Sequence, residues 1–175
     1  MILWLLNWIK AWGGVDFLKL DIHSAEFEAL QGAERTLDRV SCVLVETWHW
    51  DIHHGAHLHA EVENLLNLKG FRLYDIRPAS RWRVISTNSL QDRGMLVGSE
   101  SVFFRNAPVI GKELALVSLL DLFQYEAEAI RVANMYLPAN LAKGIHEFIE
   151  RENRPTVAQI FLKYLRGTKR ALLRS

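Results

Sequence analysis

The sequence predicts an α/β fold, a mostly parallel sheet with one antiparallel strand near an edge, followed by an all-helical stretch. Three observations predict it. Short segments at 15–22 and 42–46 are apolar on both faces, as interior strands of a parallel sheet are. Segments of helical periodicity alternate with them. Two strand patterns then follow one another at 71–76 and 101–105, and beyond Pro108 the remaining patterns are helical.

The first strand is Val15-Asp-Phe-Leu-Lys-Leu-Asp-Ile22. Ser24 is placed to cap a helix over 25–39, with Glu26 and Glu28 at the positive end of its dipole and Phe27, Leu30, Ala33 and Leu37 as its buried stripe. The second strand, Cys42-Val-Leu-Val-Glu46, ends in a carboxylate. Residues 48–57 read as a loop. Leu58, Val62, Leu65, Leu66 and Leu68 then mark a helix that stops at Gly70. Phe71-Arg-Leu-Tyr-Asp-Ile76 is the third strand. The Pro-, Ser-, Asn-, Gly- and Arg-rich stretch 77–99 reads as a long excursion with a short strand around 82–85, before a last strand, Ser101-Val-Phe-Phe-Arg105.

One helical run starts near Leu114 and continues to Leu137, where Pro138 interrupts it. A second carries Leu141, Ile145, Phe148 and Ile149, and Pro155 opens a third. The expected organisation is an α/β unit over 1–106 and a helical extension over 107–175.

The chain has 175 residues, 50% hydrophobic and 23% charged, with net charge +1. That composition excludes a disordered or collagen-like chain. A single cysteine, Cys42, excludes a disulfide scaffold and reads as a small buried hydrophobe in a reducing, cytoplasmic setting. Residues 1–106 carry a net −2 and 107–175 a net +3, and neither part shows the basic stripe interleaved with aromatics that nucleic acid requires.

Trp4, Trp8 and Trp12 recur at four-residue spacing beside Leu5 and Ile9, which reads as one sticky helical face. Core packing is its simplest use. Contact with a second copy of the chain or with a membrane surface is the alternative. Asn7, Lys10 and Gly13-Gly14 break the run before it could span a bilayer, and no transmembrane segment is expected. The C-terminal segment holds a basic cluster, Lys163, Arg166, Lys169, Arg170 and Arg174.

The stretch Val15-Asp-Phe-Leu-Lys-Leu-Asp21-Ile-His-Ser-Ala-Glu26-Phe-Glu-Ala-Leu-Gln-Gly32-Ala33 resembles the signature of the FkbM family of methyltransferases. In that family a strand ending Leu-Lys-Ile-Asp precedes Val-Glu-Gly-Ala-Glu and Val-Leu-Lys-Gly-Ala. The resemblance continues through Val43–Glu46, Gly70–Ile76 and Ser101–Arg105. It implies the C-terminal half of a class I, Rossmann-like methyltransferase sheet, its fourth to seventh strands. It also implies S-adenosylmethionine as cofactor and O-methylation of a small-molecule or glycan hydroxyl. Two features depart from the pattern. His23-Ser24 stands where the family has Glu-Gly, and the ten glycines form no Gly-x-Gly cluster near a strand-to-helix junction, where the resemblance implies a glycine-rich loop that helps hold the cofactor. The chain is therefore expected to be a fragment or inactive alone. A non-catalytic interaction or oligomerisation module built on a methyltransferase remnant is the other reading.

Ligands of open parallel sheets bind beyond the C-terminal strand ends. Asp21, His23 and Glu46 lie there and are the expected catalytic residues. Asp21 is the first choice to take the acceptor hydroxyl's proton, with His23 next; the alternative is that Asp21 and Ser24 merely satisfy the turn. Lys19, Glu26, His49 and Arg77 are the expected substrate-binding residues, Lys19 having a structural ion pair as its alternative. Five of the seven histidines fall in 49–59, where contact with the acceptor, solvated loop positions and a metal site all come into question. The spacing matches no established ligand set, and no metal is expected.

Overall fold

The computed structural model describes residues 15–83 and 94–152. The Trp-rich segment, residues 84–93 with most of the short strand expected around 82–85, the helix expected from Pro155 and the basic cluster lie outside the described residues. Four strands form one sheet: β1 (Phe17–Leu20), β2 (Cys42–Trp48), β3 (Phe71–Trp82) and β4 (Met95–Arg105). Their spatial order is β1-β2-β4-β3. β1 and β2 are parallel, and β4 is antiparallel to both of its neighbours. Three strands thus share a direction, and the fourth sits one place in from an edge.

Helices α1 (Glu26–Gly32), α2 (Glu34–Leu37) and α3 (His59–Leu68) cover one face of this sheet. Strand alternation sends Val43, Val45 and Phe103 to that side, where they meet Leu30, Leu37, Val62 and Leu66. Helices α4 (Glu113–Leu122), α5 (Glu126–Tyr136) and α6 (Ala139–Glu152) cover the other. There Cys42, Val102 and Phe104 share a core with Leu116, Val117, Leu120, Ala129, Val132 and Ile149. Polar ties reinforce this docking. Lys112 binds Asp16 at 2.7 Å, and Tyr74 donates to Glu128, which Arg131 also holds. Arg105 binds the other layer: its guanidinium donates to the carbonyls of Val40, Leu37 and Lys69 and lies over the Phe71 ring.

Four expectations need correction. The helix over 25–39 is two short helices that meet at Ala33. Ser24 does not cap it. The N-cap is Ala25 without a side-chain bond, and Ser24 lies in the turn before it at φ 90°. The stretch 77–99 is no excursion over its described residues, because β3 runs on to Trp82 and β4 begins at Met95. Register shifts flank Pro78, and β3 is an edge strand, where a proline leaves no interior ladder bond unmade. The run from 114 to 137 is broken into α4 and α5 by Gln124 at φ 68°. Pro138 and Gly70 act as expected: α5 stops at an extended Leu137, and Gly70 follows α3 at φ 83°.

Candidate functional site at the strand ends

β1 and β2 run side by side with Leu20 opposite Val45, so the residues that follow them emerge together. Asp21, His23 and Glu46 each present one ligand atom, and these atoms lie within 4.8 Å of one another. The turn that arranges them is unusual in its backbone, since His23 and Ser24 both have positive φ, 54° and 90°. Glu26 holds it closed. Its carboxylate, 3% exposed, accepts the N–H groups of Ile22 and Ser24, each at 2.8 Å. Charge-assisted bonds of this kind are strong enough to fix a strained turn.

Glu46 is the least exposed of the three. Burial, then the charge of Asp21, raises its carboxyl above the usual range, while His23 partly offsets both. Nδ1 of His23 lies 3.4 Å from Oε2 of Glu46. Lys19, on the same face, reaches Oε1 of Glu100 at 3.3 Å and Asp21 at 3.5 Å. The bond to Glu100 is the main cause of its raised pKa. Strand ends bearing two carboxylates, an imidazole and an ammonium can orient a hydroxyl and take its proton.

Residues 11–73 match the methyltransferase FkbM domain. No curated protein and no solved structure shows a significant match. The FkbM match contains β1, β2 and the helices between and after them, hence Asp21, His23 and Glu46. It ends at Leu73, before β4.

The remaining expected site residues go elsewhere, for a reason of strand parity. His49 follows the face of Thr47, opposite to that of Glu46. It bonds Ser99 Oγ at 2.9 Å, beside His59, whose Nδ1 reaches Thr47 Oγ1 at 3.1 Å and Ser101 Oγ at 3.3 Å. The two rings are 4.9 Å apart, and burial holds both imidazoles below the usual histidine range. Arg77 bonds Asp75 at 3.0 Å and lies over Phe123, away from Asp21, His23 and Glu46 in its contacts. Glu26 spends both oxygens on the turn. Of the other loop histidines, His57 stacks on Phe27 and bonds Glu61, and His53 packs edge-on to Trp48. Among the described residues, the only donor group compact enough to share an ion is Asp21, His23 and Glu46.

Sequence reasoning missed Glu100, which holds Lys19, and Ser99 and Ser101, which hold His49 and His59. All three lie on β4 in register with β2, Glu100 opposite Glu46 and Ser99 opposite Thr47. Reading 95–105 as one strand would have found them. Cys42 is buried, and its thiol is pushed up to about 12, as an unreactive core position requires.

The amides of Ile22 and Ser24, the donors that a strand-to-helix turn would offer a ligand, already serve Glu26. No glycine cluster stands at either the β1–α1 or the β2–α3 junction.

Proposed function

We propose that this chain provides the acceptor-binding side of an O-methyl transfer site, with a small-molecule or glycan hydroxyl bound at the ends of β1 and β2. The observation that carries the reading is the convergence of Asp21, His23 and Glu46 there, within the FkbM match. Asp21 is exposed and meets the hydroxyl first; Glu46, beneath it, holds the second carboxylate of the pair, and His23 flanks them. A carboxylate within hydrogen-bond reach fixes the oxygen's orientation and accepts its proton. Lys19 keeps Asp21 in place through their 3.5 Å ion pair. The sheet's direction pattern, with its single antiparallel strand second from an edge, supports a class I methyltransferase half as its origin.

The test is acceptor binding. Saturation-transfer NMR against a library of glycosides and hydroxylated natural products should find binders that Asp21→Asn and Glu46→Gln lose. A library without binders, or binders indifferent to both substitutions, overturns the reading. Calorimetry with S-adenosylmethionine should be silent; saturable binding would show that the chain holds a cofactor seat after all.

One observation favours a second reading. The outer edge of β1 pairs with no strand among the described residues, and such an edge is a template for another chain. A non-catalytic module that assembles through that edge would be a stable oligomer in light scattering, and a monomer at every concentration would remove it.

A further inference from the structure

Three metal-ligating side chains from two strand ends meet in one place, and their geometry carries more than a hydroxyl-binding role. The cluster is negatively charged: Asp21 and Glu46 contribute two carboxylates and Glu26 stands behind them, while the nearby ammonium of Lys19 is shared with Glu100. One of these carboxylates is largely shielded: the Glu46 side chain is 14% exposed, against 46% for Asp21 and 75% for His23. Oε2 of Glu46 is buried and has no hydrogen-bond partner, although His23 Nδ1 is 3.4 Å away. A buried carboxylate oxygen without a donor is costly, and such atoms call for an occupant. The 3.4 Å separation equals the edge of a tetrahedron whose metal–ligand bonds are about 2.1 Å.

We infer that Asp21, His23 and Glu46 bind one divalent transition-metal ion, with Glu46 Oε2 and His23 Nδ1 as the near pair of ligands. Two oxygens and one imidazole nitrogen suit Zn²⁺, Mn²⁺ or Fe²⁺; Mg²⁺ and Ca²⁺ favour oxygen alone. The widest separation in the group, up to 4.8 Å, exceeds a coordination edge. Asp21 and His23 are exposed, so rotation of their side chains closes that gap without moving β2. Three protein ligands leave an open position, the arrangement of catalytic rather than structural zinc sites. A hydroxyl that entered it would be acidified, and that consequence alone rests on the acceptor reading.

The experiment measures the ion directly. Chain without a histidine tag, stripped with chelator, is titrated with Zn²⁺ by calorimetry and with Mn²⁺ by electron paramagnetic resonance. One equivalent should bind. Asp21→Ala and His23→Gly should each weaken binding at least tenfold, and the paired His53→Ala, His54→Ala variant should bind as the parent does. His23→Gly guards against misfolding, because glycine adopts φ 54° without strain. Absence of stoichiometric binding overturns the inference, as does binding indifferent to Asp21→Ala and His23→Gly, or binding that vanishes with His53 and His54. No readout involves an acceptor, so failure of the transfer reading leaves this result interpretable.

Discussion

At the residue scale, the turn after β1 shows what the chain gains and loses by its own sequence. Glycine occupies the Ser24 position in the pattern that this segment resembles, and the reason is visible: Ser24 sits at φ 90°, with its buried hydroxyl unbonded. Ser24→Gly should therefore stabilise the protein by about 1 kcal/mol, measured as a shift in the urea midpoint. An unchanged or lower midpoint would mean that the hydroxyl has a partner. Glu46 is a site residue held at a cost. Its raised pKa means that its contribution is full below the unfolded value of 4.5 and is lost as pH rises through the folded one. At neutral pH Glu46→Gln should raise stability, read as a higher urea midpoint, while abolishing acceptor binding, a trade common at functional sites. The positions of Asp21 and Glu46 were legible in the sequence because continuous apolar runs end at each. The separation of His49 from them was legible too, by parity, but only once β2 was known to continue past Glu46.

At the element scale, backbone sign decided what periodicity could not. Leu114 to Leu137 keeps a helical apolar pattern, so nothing in it marks a break; Gln124 at φ 68° turns the chain, and Tyr125 N–H then bonds the Leu120 carbonyl. Gln124 is exposed, and Gln124→Gly should stabilise the α4–α5 turn by about 0.5–1 kcal/mol in thermal unfolding. A loss instead would show that the Gln124 side chain holds the turn. The β3–β4 pair escaped the sequence for a related reason. Arg77, Pro78, Ser80 and Arg81 disguise an edge strand that is exposed along most of its outer half. β4 has its own marker, Gly98, opposite Trp48. A methyl group there would meet the Trp48 ring at 2.8 Å, so Gly98→Ala should cost about 1–3 kcal/mol by denaturant unfolding.

At the scale of the whole molecule, the sheet is a wall between two helical layers, and each layer leaves a distinct signature. Under the first layer, the His49–His59 network adds a pH dependence. Burial lowers both folded pKa values, so their contribution is complete above the unfolded value of 6.5 and is lost as pH falls below it. Stability should drop with acidification from about pH 6.5, and His59→Gln should flatten that slope; an unchanged slope would place the titration elsewhere. Under the second layer, α4–α6 share their core with Cys42, Val102 and Phe104, and deletion of residues 113–152 should leave an aggregating sheet. The general α/β order was legible because alternation of strand and helix survives in the apolar pattern, whereas the side on which each helix packs depends on contacts far apart in the chain. Arg105 gathers carbonyls from the ends of two helical segments and the residue before β2's approach, and covers an aromatic ring as it does so. Its Nε–H is held by the Val40 carbonyl at 2.9 Å, so in nitrogen-edited proton spectra it should exchange more slowly than the free arginine signals and lose that protection with global melting, a built-in reporter of when this layer opens.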